Sequence, residues 1–206
     1  KARLLLNVAA SKGDKDAAEL LSVMNTPGRR GALERQEAHA RFETLLAQAE
    51  AGDVNAQYNI GRMYYAGAKY RGVEDHHARA AMWIKRASDG GLPLAHYSYG
   101  KLLETGTGVE PCPSLAVTYF EQGAAAGEPN SAFRFGKALY DGEDVPQDVP
   151  RARSLVAAAA EENVEGAAQL LREIDTWMKE KAAAAAAEEL LREEDEAAAA
   201  RAKRAK

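Results

Sequence analysis

Three segments of the chain repeat one pattern, in which a small residue stands five positions before a glycine and a second glycine follows six positions after it. The copies are residues 56–67, 95–106 and 131–142, and their central glycines are Gly61, Gly100 and Gly136. A recurring spacing of 39 and then 36 residues indicates a solenoid built from two-helix units. Each unit buries its apolar face only by stacking on its neighbours, so the pattern constrains the fold of the whole array.

A second element follows each copy. In each unit a valine stands seven positions before an alanine, which stands eleven positions before a closing residue. The alanines are Ala80, Ala116 and Ala152, and the closing residues are Gly91, Gly127 and Asn163. The longer first spacing places an insertion around residues 68–70, which we expect in a surface turn because such turns tolerate insertions.

Both elements have the periodicity of amphipathic helices. Small or apolar residues stand five and one positions before the central glycine and three after it, as one helical stripe. In the second element Ala80, Trp83, Ile84 and Ala87 follow the i, i+3, i+4, i+7 pattern. Left-handed residues just past helix ends are predicted at Gly67, Gly91, Gly106, Gly127 and Gly142. Helix N-caps are predicted at Asp53 and Asp148.

The central glycines lie inside the predicted first helices. A glycine at such a position costs about 0.5–1 kcal/mol relative to alanine. Its recurrence in three units therefore indicates a compensating gain. We expect close approach of the partner helix, with the small alanine of the second element opposite the glycine.

These features resemble the Sel-like repeat family, which is related to tetratricopeptide repeats. Its pattern is roughly Ala-x-Tyr-x-Leu-Gly-x-x-Tyr-x-x-Gly, then Val-x-x-Asp, then Ala-x-x-Trp-Tyr-x-x-Ala-Ala-x-x-Gly. Residues 56–91, 95–127 and 131–163 match it best, with Pro111-Cys112 and Asn163 as departures. The resemblance implies an all-α solenoid of antiparallel helix hairpins, a right-handed superhelix, and a role in protein interactions. It names no partner.

Three regions follow from this reading. Residues 1–52 are expected to hold degenerate helical repeats, with a second-helix pattern at 2–13 and a turn at 26–28. Residues 53–164 hold the three repeats, and residues 165–206 form a long helix rich in Ala, Glu and Lys. Beyond Met178 only Leu190 and Leu191 are apolar apart from alanine, so this helix either projects or caps the array. Because the chain opens inside an apolar helical pattern, we expect it to be a fragment or a processed form.

Composition excludes several classes of protein. The net charge of −4 does not favour a nucleic-acid binder, and a lone cysteine, Cys112, forms no internal disulfide. No segment reaches the roughly 18 consecutive apolar residues of a membrane helix. We therefore expect a soluble chain with no membrane insertion, and we favour an intracellular location.

A second stripe on the first helices is the candidate partner-binding site. Positions three before and one and four after the central glycine place an aromatic residue one turn before a base in each unit. The nine residues are Tyr58, Arg62, Tyr65, Tyr97, Lys101, Glu104, Phe133, Lys137 and Tyr140. The functional hypothesis is a concave groove for an acidic or extended peptide. The alternative is that the aromatic rings pack between repeats and the bases are solvated.

No pattern in the sequence indicates catalysis, a metal or a cofactor. His76 and His77 are adjacent, so their side chains diverge on a helix, and His39 and His96 have no ligands at metal-binding spacing. Nucleophile, phosphate-binding and dinucleotide motifs are absent from the sequence. A hydrolase built on the same repeat stays an alternative, but it would need a pocket with a strongly shifted pKa.

We therefore predict a non-catalytic scaffold, a structural subunit of a larger assembly of proteins. Two alternatives remain open. The first is a regulatory adaptor that binds a peptide in its groove. The second is an RNA-contacting subunit that uses Arg62, Lys101, Lys137 and the basic residues 201–206, although the basic segment is too short to indicate nucleic-acid binding by itself.

Overall fold

The structure is a computed structural model that describes residues 40–66 and 76–204, with side chains described as far as residue 197. The predictions for the degenerate copies at 2–13 and 26–28 lie outside these residues. So do those for Gly67, Val73 and the insertion at 68–70.

The described residues are all-helical. They form α1 (residues 40–50), α2 (Val54–Tyr65), α3 (His76–Asp89), α4 (Pro93–Thr105), α5 (Pro113–Ala125), α6 (Pro129–Asp141), α7 (Val149–Glu161) and α8 (Ala167–Arg204). From α3 to α8 each helix packs against the next along the chain. This order of successive hairpins followed by a long helix confirms the predicted fold class. Within the described ranges, no helix has the length and apolar character needed to cross a lipid bilayer.

Contacts between residues divide the chain into two compact units, residues 1–60 and 61–206. In the first unit Phe42, Ala49 and Ala56 are buried. The predicted N-cap is confirmed, because the Asp53 carboxylate accepts a hydrogen bond from the backbone N–H of Ala56 at 2.8 Å. The side-chain amide of Gln57 donates to the carbonyl of Ala49 at 3.1 Å, which joins α2 to α1.

Helix ends in the second unit follow the sequence predictions. Gly106 and Gly142 adopt left-handed backbones with φ of 69° and 72°, and their N–H groups donate to carbonyls in the last turns of α4 and α6. The Asp148 carboxylate caps α7 by accepting from the N–H of Arg151 at 3.0 Å. A proline near the start of each helix from α4 to α7 presets the helical φ where no N–H partner is required.

The central glycines are points of close helix approach. A Cβ at Gly61 would lie 2.6 Å from Cγ1 of Ile84, and one at Gly136 would lie 2.8 Å from Cγ2 of Val156. At Gly100 the nearest atom would be Cε1 of Phe120, at 2.5 Å. Close approach is thus confirmed. The tightest contact, however, comes from the side chain four residues beyond the expected alanine. The carbonyl of that alanine lies 3.2 Å from the added Cβ in the first and third copies.

α8 begins as the first helix of a further unit and does not end where such a helix should. Ala167, Leu170 and Ile174 are buried, and Ala167 stands at the first position of the first-helix stripe. By register, Arg172 takes the place of Gly100, and Met178 takes the place of the helix-ending Gly106. No left-handed residue stops the helix at this point. The whole of α8 is therefore 38 residues long, about 57 Å at 1.5 Å per residue. Residues 179–197 are all exposed, so α8 projects beyond its packed first turns.

Candidate partner-binding groove

The stripe predicted from sequence lies on α2, α4 and α6. Its α4 and α6 members belong to the second unit, as do Arg62 and Tyr65 of α2, whereas Tyr58 belongs to the first unit. Tyr58 is buried there, and Arg62 is exposed. The ring of Tyr65 is 52% exposed and meets His77 edge to face at 5.7 Å.

Glu104 on α4 binds two bases at once. One carboxylate oxygen accepts from Nζ of Lys101 at 2.8 Å, and the other accepts from the guanidinium of Arg134 on α6. Burial alone would raise the pKa of the Glu104 carboxyl, but the hydrogen bonds and charges of Lys101 and Arg134 lower the pKa below its usual value. This hydrogen-bonded triad links the first helices of two successive repeats.

Lys137 on α6 also has a partner within the chain. Its ammonium donates to the carboxylate of Asp141, one turn further along the same helix. Lys101 and Lys137 are thus each held by a carboxylate, and the face that contains them carries both signs of charge.

The aromatic members are partly buried, and each has a defined contact. The Tyr97 ring lies 6.1 Å from the ring of Phe120, and that ring also lies 5.6 Å beneath the guanidinium of Arg134. Phe133 packs close to the turn at Gly166, and Tyr140 meets Trp177 of α8 edge to face at 6.4 Å. These contacts fix the ring orientations while leaving part of each ring accessible to solvent.

An open hollow of about 190 Å³ lies between α4, α5 and α6. Val117 and Phe120 provide an apolar wall. Four carboxylates and two bases provide the opposite side, namely Glu104, Asp141, Glu143, Asp144, Arg134 and Lys137. A surface that joins apolar contacts to paired charges can hold alternate side chains of an extended segment.

His96 belongs to the packed interior of the array. His96 is buried, with its Nδ1 2.8 Å from the hydroxyl of Ser88. Burial lowers the pKa of His96, and the negative charge of Asp89 opposes this in part. Among the side chains that the structure describes, no three His, Cys, Asp or Glu residues are grouped to hold a metal ion.

Sequence reasoning missed two groups at this face, Arg134 and Trp177. Arg134 was detectable, because Glu104 and Arg134 stand 30 residues apart and so do Glu121 and Arg151, which pair at 2.9 Å between α5 and α7. A recurring opposite-charge pair at an offset slightly shorter than the repeat is the signal of a link between repeats. Trp177 gave no such signal, because no ring recurs at the corresponding position of the three repeats.

Relatives match only part of the chain. An ERAD-associated E3 ubiquitin-protein ligase component from Arabidopsis thaliana, HRD3B, is 34% identical over 119 residues, which is 57% of this chain and 18% of the relative. A second component from the same plant, HRD3A, is 36% identical over 85 residues, 40% of this chain and 12% of the relative. The chain therefore spans less than a fifth of either plant protein.

Solved structures share the fold. A Sel1 repeat protein from Oxalobacter formigenes superposes with a TM-score of 0.57 at 30% identity, over 64% of this chain and 96% of that one. A protective antigen from uropathogenic Escherichia coli with an SLR fold, c5321, gives a TM-score of 0.58 at 24% identity, over 85% of this chain and 36% of that one.

The family profile described as Sel1 repeat matches residues 54–92, 93–128 and 129–164, which together make up more than half of the chain. These boundaries coincide with the three hairpins derived from the glycine pattern. The chain belongs to the Sel1 repeat family.

Proposed function

We propose that the chain is a non-catalytic scaffold that binds other proteins as a structural subunit of a larger assembly. The observation that carries the proposal is the partly exposed face of α4 and α6, where paired charges and the ring of Phe120 line an open hollow. The partly buried rings of Tyr97, Phe133 and Tyr140 lie on the same two helices. The array keeps this face rigid, because ion pairs and close glycine contacts fix the helices behind it.

Membership of a complex is supported by the plant relatives, which are named as components of a ubiquitin ligase rather than as the ligase itself. We infer that the repeats of this chain, like any solenoid, present an extended surface rather than a reaction centre.

The groove proposed for the partner is lined by Tyr97, Lys101, Glu104, Phe133, Lys137 and Tyr140, with Tyr58, Arg62 and Tyr65 as the corresponding residues of α2. An extended segment fits its chemistry, since the rings offer apolar contact at intervals along successive helices. The pairing of Lys101 and Lys137 with carboxylates gives an acidic segment no particular advantage.

The first experiment is gel filtration of the tagged chain from gentle lysate, followed by mass spectrometry of the co-eluting proteins. Elution far above the 22.2 kDa of the chain with a fixed set of companions supports a structural subunit. Elution near that mass without companions contradicts it and favours an adaptor that binds its peptide transiently, a second candidate supported by the small and open hollow.

A second experiment assigns the binding face. The double variant Lys101→Glu/Lys137→Glu should lose the companions while remaining folded, because both side chains are partly exposed. Arg79→Glu/Lys179→Glu makes the same change in charge at exposed positions off the stripe and should retain them. Equal retention by both variants would exclude the groove as the binding face.

A further inference from the structure

Tyr140 of α6 and Trp177 of α8 form an aromatic corner at the end of the array. Their ring planes stand at 84°, with centroids 6.4 Å apart, and both side chains are half-buried. Both rings line an open hollow of about 400 Å³ on the side of α8 that no later helix of the described chain covers. Two rings at right angles offer a face and an edge to a single guest group.

The charges around the corner favour a cationic guest. Glu173 and Glu180 line the hollow, against one base, Arg172. The Trp177 ring already has a cation of the chain over it, because Nζ of Lys181 lies 5.6 Å from the ring centre. A positive group over an indole face is attracted by the ring quadrupole, and nearby carboxylates add to that attraction.

The corner is particular to the end of the array. By register, Trp177 corresponds to Ala66, Thr105 and Asp141 in the three repeats, so none of these places a ring beside the preceding first helix. Packing of a standard repeat therefore does not require the tryptophan.

We propose that the Tyr140–Trp177 corner binds an arginine side chain of an extended segment in a partner protein, with Lys181 as a competitor within the chain. A planar guanidinium stacks on an aromatic face and donates to carboxylates at its edge, which a compact ammonium does less well. This proposal rests on the proposed function, because Tyr140 belongs to the proposed groove and the arginine would be one side chain of the partner bound there.

Two-dimensional NMR of the ¹⁵N-labelled chain tests it with a simple probe. The chain has two tryptophans, and Trp83 is buried in α3, so its indole signal is an internal reference. Titration with the blocked peptide acetyl-Gly-Arg-Gly-amide should shift the Trp177 indole signal and leave that of Trp83 in place. Acetyl-Gly-Gln-Gly-amide should shift neither. Equal shifts with the two peptides would overturn the proposal.

Charge variants make the test sharper without disturbing the rings. Lys181→Gln removes the competitor and should tighten arginine-peptide binding about two- to fivefold, whereas the nearby exposed Lys179→Gln should not. Glu173→Gln/Glu180→Gln should weaken binding, and Glu188→Gln/Glu189→Gln, further along the exposed helix, should leave it unchanged. Unchanged affinity in both Lys181→Gln and Glu173→Gln/Glu180→Gln would overturn the proposal.

The scaffold function and the arginine-binding corner can be contradicted independently. If the arginine peptide does not bind but the companions still co-elute with the chain, the scaffold stands and the corner falls. If the peptide binds but gel filtration yields no companions, the corner stands and the structural subunit falls.

Discussion

Gly100 of α4 lies so close to the ring of Phe120 in α5 that a Cβ on residue 100 would stand 2.5 Å from ring atom Cε1. No real Cβ contact is that short, so the ring or the helix would have to move. Gly61 and Gly136 make corresponding contacts, so all three hairpins pack their two helices together at the central glycine.

Gly100→Ala should therefore destabilise the fold. Overpacking costs about 1–3 kcal/mol, and the gain in helix propensity returns about 0.5–1 kcal/mol, so we expect a net loss of up to about 2.5 kcal/mol in the free energy of unfolding. Urea unfolding measures this loss. In the double variant Gly100→Ala/Phe120→Leu the loss should be smaller than the sum of the single losses, because the smaller side chain makes room. Additive losses would contradict direct contact.

Ser131→Ala should stabilise the protein. The Ser131 hydroxyl is buried with no hydrogen-bond partner, and alanine stands at the corresponding position in the other two repeats, at Ala56 and Ala95. Removing a buried unsatisfied hydroxyl should raise the free energy of unfolding by about 1 kcal/mol. The midpoint of urea unfolding reports the gain, and a loss of stability would show that the hydroxyl has a bonding role.

Ser88→Ala is the matched contrast, with the opposite sign. Its hydroxyl is equally buried but bonds to Nδ1 of His96 at 2.8 Å. Removing it leaves the ring nitrogen unpaired and should cost about 1–2 kcal/mol. The same unfolding assay applies, and the two serine variants should move in opposite directions.

The buried His96 should make stability depend on pH. Burial lowers its pKa in the folded chain, whereas in the unfolded chain it titrates near 6.5. As the pH falls below about 6.5, the unfolded state takes up the proton first, so stability decreases until the pH reaches the folded pKa. We expect the thermal midpoint to fall between pH 7.5 and 5.5, and to fall less in His96→Ala. An identical slope in the variant would assign the effect to other groups.

Much of the fold could be predicted from sequence because its determinants are local. A glycine six positions after the central glycine favours a left-handed backbone that ends the helix. An aspartate just before a helix accepts a hydrogen bond from the N–H group three residues later, as Asp148 does. These rules act within one turn of chain. The repeated spacing then supplied the pairing of helices.

The site depends on contacts between helices, which a linear pattern specifies poorly. The bond between Glu104 and Arg134, the pair of Ser88 and His96, and the corner of Tyr140 and Trp177 each join different helices. The sequence pattern placed Tyr140 and Glu104 on one stripe. It did not indicate their partners on other helices, Trp177 and Arg134. The sequence therefore predicted the face and missed how its charges are paired.

The exposed part of α8 should contribute little to stability. Residues 179–197 bury no side chain, so deletion from residue 185 onward should change the free energy of unfolding by less than about 0.5 kcal/mol. By contrast, Ile174→Ala, in the packed part of the same helix, should cost about 2–4 kcal/mol. Circular dichroism during urea unfolding compares the two, and a large loss on truncation would show that the projecting helix is packed in solution.

Arg172, at the position that glycine occupies in the hairpins, also sets a rule for engineering the array. A methyl group alone at that position would collide with a second helix docked as in the other units, and arginine is far larger. A designer who wished to append another hairpin would have to restore glycine at residue 172 and, to turn the chain back, at residue 178. Residues 172 and 178 therefore distinguish α8 from a first helix on which a second helix can dock.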